Sequence, residues 1–64
     1  MQISFIGAGK VGVSLGKYFI SKGRKVGGYY SLSPESAAWA ANFTNTKQYQ
    51  SIEEIISSSD MIFF

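Results

Sequence analysis

Three glycines near the amino terminus, Gly7, Gly9 and Gly12, have the spacing G-x-G-x-x-G. An apolar run at residues 3–6 precedes them and a segment with helical spacing follows, so the pattern predicts a strand-to-helix turn. There the first glycine permits a sharp turn, the second leaves room for a pyrophosphate, and the third lets helix and strand pack closely. N–H groups at the helix start attract the phosphates. The spacing predicts dinucleotide binding, and the alternative is a glycine-rich turn with a purely structural role.

The residues between the glycines have smaller predicted roles. Ala8 and Val11 would contribute only backbone and shape to the site. Lys10 would either reach a phosphate or point into water, and both alternatives stay open. The predicted cofactor site therefore includes every position from 7 to 12.

A second stretch, YYSLS at residues 29–33, bears on which dinucleotide is bound. An NAD-specific site has an Asp or Glu at the end of the second strand, about twenty residues after the last glycine, to bind the ribose 2′-hydroxyl. Ser31 occupies that position here, and the first acid along the chain is Glu35. A carboxylate would repel the 2′-phosphate of NADP, whereas hydroxyl groups and a helix N-terminus would receive it. The sequence therefore predicts NADP rather than NAD.

The neighbours of Ser31 complete the predicted adenosine side of the site. Tyr30 is predicted to line the adenosine pocket and Ser33 to help receive the phosphate. Leu32 stands where an arginine would aid 2′-phosphate binding, so Lys10 is the alternative cation. The structural alternatives are an ordinary turn serine at Ser31 and a plain helix N-cap at Ser33.

Periodic apolar residues predict the elements that must position these two turns. After the first strand, the apolar residues at 11, 15, 18 and 19 have helical spacing. Gly12 and Gly16 lie four apart on another stripe, which would let the helix lie close to a sheet. Gly23 is predicted to end this helix, and KVGGYY resumes as a strand.

The second half of the chain continues the alternation. A helix begins at Ser33 and carries Trp39 and Phe43, which are predicted to lie in the core. KQYQ is a brief strand, SIEEII begins a helix with a capping box from Ser51 to Glu54, and DMIFF is a last, buried strand. Strands alternating with helices predict an α/β fold with a parallel sheet and helical crossovers.

The composition is that of a globular chain of 64 residues, 45% hydrophobic and 16% charged, with net charge +2. Cys and His are absent, so we predict no metal site and no disulfide. The six Lys and Arg residues are scattered, which does not favour nucleic-acid binding. No signal-peptide pattern opens the chain, and no apolar stretch approaches the roughly 20 residues of a membrane span. We therefore expect a cytoplasmic protein with no membrane partner.

The stretch ISFIGAGKVGVSLGKYFISKGRKVGGYYSLSPESA, with SIEEIISSSDMIFF further on, resembles a known group of proteins. It is similar to the N-terminal Rossmann domain of NADP-dependent reductases related to pyrroline-5-carboxylate reductase and ketopantoate reductase, in particular a bacterial Rossmann-like oxidoreductase family of undefined substrate. The resemblance covers essentially all 64 residues. It implies an incomplete Rossmann-type, doubly wound parallel sheet of the form βαβαβαβ with strand order 3-2-1-4.

The resemblance carries over to individual residues only within the two turns. It places Gly7, Gly9 and Gly12 at the pyrophosphate, and Ser31 and Ser33 near the adenosine ribose. Leu32 departs from the pattern, because relatives often have arginine there.

The function implied is the NADP(H)-binding portion of an oxidoreductase that performs hydride transfer on an unidentified small molecule. Residues 1–64 would form the N-terminal part of the dinucleotide-binding domain, with a helical substrate domain beyond Phe64. The apolar edge of the last strand also allows a homodimer. No catalytic residue is named, because Glu54 is predicted to cap a helix, Glu53 to face solvent and Asp60 to begin a strand.

Two alternatives to the reductase stay open. One is a nucleotide-sensing regulatory Rossmann module without catalysis. The other is a Rossmann domain of the flavoprotein or methyltransferase type. Regulatory modules often carry an acid after the second strand, and flavoproteins use one there to bind ribose hydroxyl groups. The absence of an acid therefore disfavours the regulatory and the flavoprotein alternatives.

Overall fold

The computed structural model describes residues 1–64 and contains seven elements in the order βαβαβαβ. The strands are β1 (Gln2–Ile6), β2 (Lys25–Tyr30), β3 (Lys47–Gln48) and β4 (Met61–Phe63), and the helices are α1 (Lys10–Ser21), α2 (Pro34–Thr44) and α3 (Ile52–Ser58). None of the helices has the length and apolar character that crossing a membrane would require.

The four strands are parallel and lie in the order β3-β2-β1-β4, which confirms the predicted Rossmann-type α/β fold. Because all strands run the same way, the turns that follow β1, β2 and β3 meet at the carboxyl edge of the sheet. The strand predicted at KQYQ is shorter than expected, since only Lys47 and Gln48 pair with β2. Tyr49, the next residue, is buried.

The pairing of β1 with β2 has one irregularity, at the double glycine of β2. Ile3 lies beside Val26 and Ser4 beside Gly28, so Gly27 is an extra residue in β2. One extra residue reverses the faces to which all later side chains of a strand point. As a result Tyr29 lies beside Phe5, on the face of the sheet that α1 and α2 cover.

The side of α1 that faces the sheet differs from the predicted apolar stripe at 11, 15, 18 and 19. Val11 is 74% exposed and Tyr18 is 56% exposed, whereas Val13 and Gly16 are buried. The helix itself is confirmed, and Leu15 and Phe19 of the stripe are partly buried and pack against the core. Val11 and Tyr18 lie at the margins, because the small residues of α1 make the closest approach to the sheet.

The closest approach of α1 to the sheet occurs at Gly16. A Cβ built at Gly16 would overlap the Tyr29 hydroxyl, so no larger residue fits without a shift. At Gly12 a Cβ would lie 3.6 Å from the Gly7 carbonyl oxygen, which is an ordinary contact. Close packing is predicted for both glycines; it is tightest at Gly16, whereas Gly12 makes only an ordinary contact.

α2 buries its small side chains and exposes its large aromatic ones. Its buried residues are Ala37, Ala40, Ala41 and Thr44. Trp39 and Phe43 are 56% and 51% exposed and stack on each other, with ring centroids 5.2 Å apart, so the prediction that they lie in the core is wrong. The Lys17 ammonium of α1 lies 4.7 Å from the centre of the Phe43 ring and partly covers it.

The core beneath α1 is built from aromatic rings. Phe5 stacks on Tyr29, with centroids 4.9 Å apart, and on Phe63, at 5.5 Å. Phe19 of α1 contacts Phe63 with centroids 5.6 Å apart. Phe63 is half-buried and Phe64 is 95% exposed, so β4, at the edge of the sheet, is less buried than predicted.

α1 ends where the sequence predicts, and α2 ends in the same way. Gly23 follows α1 with φ of +78°, and the Arg24 N–H donates to the Phe19 carbonyl at 2.8 Å. Asn45 plays the same role after α2, with φ of 58°. Both ends are Schellman-type stops that need a residue in the left-handed region.

Candidate dinucleotide-binding site

The glycine turn connects β1 to α1 at the carboxyl edge of the sheet. Gly7 has φ of +106°, a conformation that favours glycine, and its N–H donates to the Tyr30 carbonyl at 2.7 Å. Gly9 is the N-cap of α1, and a Cβ built there would meet no atom within 4 Å. The space in front of Gly9 is therefore open to a ligand.

No side chain caps the first turn of α1. Gly9 offers no side chain to accept a hydrogen bond, and the backbone N–H groups of Lys10, Val11 and Gly12 have no acceptor. No acidic residue lies in this turn. Unpaired N–H groups and the positive end of the helix dipole make such a terminus attractive to an anion.

Lys10 is the first residue of α1, and its side chain is exposed and forms no ion pair within the protein. The other cations lie along α1, near its C-terminus, or at the starts of β2 and β3; they are Lys17, Lys22, Arg24, Lys25 and Lys47. Lys10 is thus the cation at the carboxyl edge. Of the other two intervening turn residues, Ala8 packs on the core and Val11 is exposed.

A cavity of about 220 Å³ lies between the glycine turn and β4. Its apolar walls include Val11 and Leu15 of α1 together with Phe63 and Phe64. Gly9 also borders this cavity, so the uncapped helix terminus opens directly beside it.

A second cavity, of about 380 Å³, lies on the β2 side of the turn. The predicted adenosine-side residues Tyr30, Ser31 and Leu32 line it, and Gly7 borders both cavities. The two cavities thus lie on either side of one uncapped helix turn, an arrangement that a dinucleotide site requires, with a nucleoside at each end of a pyrophosphate.

Ile52 also lines the second cavity and was not among the predicted site residues. It is the first residue of α3 and is 42% exposed. A signal was available, because α3 follows β3 and its start must therefore lie at the carboxyl edge of the sheet. Only the fold, however, shows that Ile52 and Leu32 share one cavity.

The turn between β2 and α2 is held together by its serines. The Ser31 Oγ accepts from the Ser33 N–H at 3.1 Å, and the Ser33 Oγ accepts from the Ser36 hydroxyl at 3.2 Å. Ser33 is the N-cap residue of α2, as predicted, but its side chain makes no capping hydrogen bond. The hydroxyl hydrogens of Ser31 and Ser33 are therefore both available to a ligand.

Backbone donors accompany these hydroxyl groups. The N–H groups of Glu35 and Ser36, in the first turn of α2, have no acceptor within the protein. The nearest carboxylate in sequence, that of Glu35, lies in this helical turn and not at the end of β2. This turn consequently presents hydrogen-bond donors from both side chains and backbone.

The remaining acids have structural partners or lie away from the turns. The Asp60 carboxylate accepts from the Gln2 N–H at 2.8 Å, at the opposite edge of the sheet. The Glu54 N–H donates to the Ser51 Oγ at 3.2 Å, which confirms the predicted cap. In a capping box the Glu54 carboxylate would accept in return from the Ser51 N–H. Here it accepts from the N–H of the preceding residue, Gln50, at 2.7 Å. No group of three or more Asp and Glu side chains converges in the structure.

The environment of Tyr29 changes the pKa of its side chain. Burial raises the pKa of its hydroxyl, and the Thr44 side chain opposes that rise. The group therefore stays protonated near neutral pH. It donates to the Gly12 carbonyl at 2.9 Å, directly under the first turn of α1.

The fold is that of a Rossmann-type domain, and the glycine turn at its carboxyl edge is a candidate dinucleotide site. The chain belongs to the family described as NADP oxidoreductase, coenzyme F420-dependent, whose model matches residues 2–64. This confirms the resemblance to a nicotinamide-dinucleotide reductase family.

Two crystal forms of one enzyme, UDP-N-acetylglucosamine 3-dehydrogenase GnnA from Acidithiobacillus ferrooxidans, have a similar fold. One superposes with a TM-score of 0.82 at 19% identity over 97% of this chain, and the other with 0.84 at 18% identity over 100%. This chain spans 20% of the length of that dehydrogenase. At such identity the likeness concerns the fold alone. No curated protein sequence gives a significant match.

Proposed function

We propose that this chain is the NADP(H)-binding portion of an oxidoreductase that transfers a hydride to or from a small molecule. The observation that carries the proposal is the uncapped first turn of α1, which opens between two cavities at the carboxyl edge of the sheet. Family membership supports the class of cofactor. The bound nicotinamide would supply the hydride chemistry, and the residues of this chain would bind and orient the dinucleotide.

The proposed division of roles follows the charges and donors of the site. The N–H groups of Lys10, Val11 and Gly12 would bind the pyrophosphate, with the Lys10 ammonium able to add charge. Tyr30, Leu32 and Ile52 would contact the adenosine, and the β4-side cavity would hold the nicotinamide half.

The preference for NADP rests on the donors between β2 and α2. Two hydroxyl hydrogens, from Ser31 and Ser33, and two backbone N–H groups, from Glu35 and Ser36, are available there. A 2′-phosphate consists of acceptor oxygens and suits four donors, whereas a ribose 2′-hydroxyl in an NAD site is held by a carboxylate. No carboxylate follows β2 directly.

The substrate would be bound outside residues 1–64. Phe63 and Phe64 form the β4 wall of the nicotinamide-side cavity. None of the chain's acids faces this cavity, so no residue of this chain is proposed as a catalytic residue.

Titration of NADPH and NADH against the full-length protein, by calorimetry, tests this function. We expect NADPH to bind at least about tenfold more tightly, a difference of about 1.4 kcal/mol. Ser31→Asp should reverse the preference, because its carboxylate repels the 2′-phosphate and binds the 2′-hydroxyl. Ser57→Asp, which adds the same charge on the last turn of α3, is the matched control and should leave the ratio of the two affinities unchanged.

Two results would contradict the proposal. If neither nucleotide bound the folded protein, the glycine turn would be structural or serve another ligand. If both bound but Ser31→Asp did not change their ratio, the β2–α2 turn would not read the 2′-position.

A further inference from the structure

The Tyr29 side chain lies directly beneath the uncapped turn of α1. It is completely buried, and its hydroxyl donates to the Gly12 carbonyl at 2.9 Å. Gly12 is the third residue of α1, and its own N–H is one of the unpaired donors. The same residue is therefore held by the sheet through its carbonyl and is open to a ligand through its N–H.

Three local features of the sequence bring this hydroxyl to the helix. The extra residue Gly27 in β2 turns Tyr29, rather than Tyr30, toward α1. The Phe5 ring stacks on the Tyr29 ring at an interplanar angle of 11° and fixes its direction. Gly16 leaves the space that the hydroxyl occupies, since a Cβ there would overlap it.

β2 holds the glycine turn at its other end as well. The Gly7 N–H donates to the Tyr30 carbonyl at 2.7 Å. Two consecutive residues of β2 thus bind the first and the last glycine of the turn. Between these two points lies Gly9, which makes no side-chain contact and provides no cap.

We propose that Tyr29 is a positioning residue of the phosphate-binding turn. Its hydroxyl takes the place of a helix cap by fixing the first turn of α1 from beneath, so that the N–H groups of that turn keep their direction toward a phosphate ligand. A ligand-binding helix terminus cannot carry an ordinary cap, because the cap would occupy the donors. This proposal rests on the proposed function, since it assumes that a dinucleotide phosphate is the ligand.

Tyr29→Phe in the full-length protein tests this role, because it removes only the hydroxyl and keeps the ring stacked on Phe5. We expect the Kd values for NADPH and for NADH to rise by the same factor, up to about fivefold if the whole contribution of this one hydrogen bond is lost from the bound state. Their ratio should stay constant, since the pyrophosphate is common to both. Amide hydrogen exchange at residues 13–16, the first N–H groups of α1 that have backbone acceptors, should become faster when measured without ligand.

Tyr49→Phe is the matched control. Tyr49 is also buried, and its hydroxyl bonds the Gln2 Nε2 at 3.1 Å and the Ser58 Oγ at 3.2 Å, on the opposite face of the sheet from α1. It should lower the thermal midpoint without changing either Kd or the exchange at residues 13–16. Each variant is measured at a temperature at which circular dichroism shows it fully folded.

The possible outcomes separate the two proposals. Unchanged affinities and exchange in Tyr29→Phe, or an equal loss of affinity in Tyr49→Phe, would overturn the positioning role and leave the proposed function standing. A rise in only the NADPH Kd would also overturn it, because the hydroxyl would then act at the 2′-phosphate side. If the unsubstituted protein bound neither nucleotide, both proposals would fail.

Discussion

α1 and α3 both begin at the carboxyl edge of the sheet, but their N-termini are completed differently. In α3, the Ser51 Oγ accepts from the Glu54 N–H, the Glu54 carboxylate accepts from the Gln50 N–H, and Glu53 adds a second acid to the first turn. In α1, Gly9 provides no cap and no acid follows it. One terminus is closed by its own side chains, and the other leaves its donors open.

The difference shows how the chain can leave a helix terminus uncapped without losing its position. Replacing a capping side chain by glycine costs a few tenths of a kcal/mol in an ordinary helix. α1 is held instead by the sheet, through the Gly7 bond to Tyr30, the Tyr29 bond to Gly12 and the close approach at Gly16. The open terminus is therefore a property of both the glycine turn and the strand beneath it.

The largest effect is expected from Gly9→Asp, which would give α1 the kind of cap that α3 has. The backbone of Gly9 has φ of −80° and ψ of 178°, which any residue adopts, and a Cβ there meets no atom. The new carboxylate should cap the first turn and raise stability by a few tenths of a kcal/mol, because glycine is itself tolerated at an N-cap position. It should also occupy the donors and repel phosphate, so we expect NADPH affinity, measured by calorimetry, to fall roughly 100-fold or more.

Gly9→Asn is the matched control for this change. Asparagine caps a helix about as well as aspartate but carries no charge. It should give a similar rise in thermal midpoint with a smaller loss of affinity, and the difference between the variants measures the charge effect. Undiminished NADPH binding in Gly9→Asp would show that the α1 terminus is not the phosphate site.

The next largest effect is expected from Gly16→Ala, which disturbs how the sheet holds α1. The added Cβ would overlap the Tyr29 hydroxyl, so either the helix or the ring must move. We expect a loss of about 1–3 kcal/mol in the free energy of unfolding, typical of overpacking, measured by urea denaturation. An alanine elsewhere in a helix would instead stabilise it relative to glycine.

The double variant Gly16→Ala with Tyr29→Phe sharpens the test. Without the hydroxyl the worst overlap is gone, although the ring carbon that bore it would still lie 3.2 Å from the new Cβ. The loss in the free energy of unfolding of the double variant should therefore be smaller than the sum of the losses of the two single variants. Full additivity would mean that Gly16 and Tyr29 are not in contact in solution.

The parts of this fold that the sequence predicts well are those fixed by local chemistry. Gly7, with its positive φ, and Gly23, at the end of α1, stand where the backbone needs glycine, and Ser51 caps α3. The alternation of strands and helices then restricts the topology, and the resemblance to known reductases supplies the strand order that the structure confirms.

The parts that the sequence does not predict depend on contacts between elements. The helical spacing of Trp39 and Phe43 predicts a buried stripe, and this prediction is wrong because both side chains are more than half exposed. In α2 the alanine stripe packs on the sheet instead. The extra residue Gly27 decides that Tyr29 faces α1, and a single-residue shift of register leaves no trace in apolar periodicity. Ile52 joins the site only because α3 follows the short β3.

The smallest effect in this series is expected from Ser51→Ala, which opens the terminus that the chain has closed. The Glu54 N–H loses its acceptor, and we expect the free energy of unfolding to fall by about 1 kcal/mol, measured by urea denaturation. Ser57→Ala, in the same helix but with its hydroxyl bonded only to the Glu54 carbonyl, should cost less. Neither variant should change the Kd for NADPH, although α3 begins beside the second cavity, because Ser51 borders no cavity. If Ser51→Ala weakened NADPH binding by as much free energy as it cost in stability, the cap of α3 would be positioning Ile52 for the ligand. Both helix termini would then contribute to NADPH binding, although only that of α1 is uncapped.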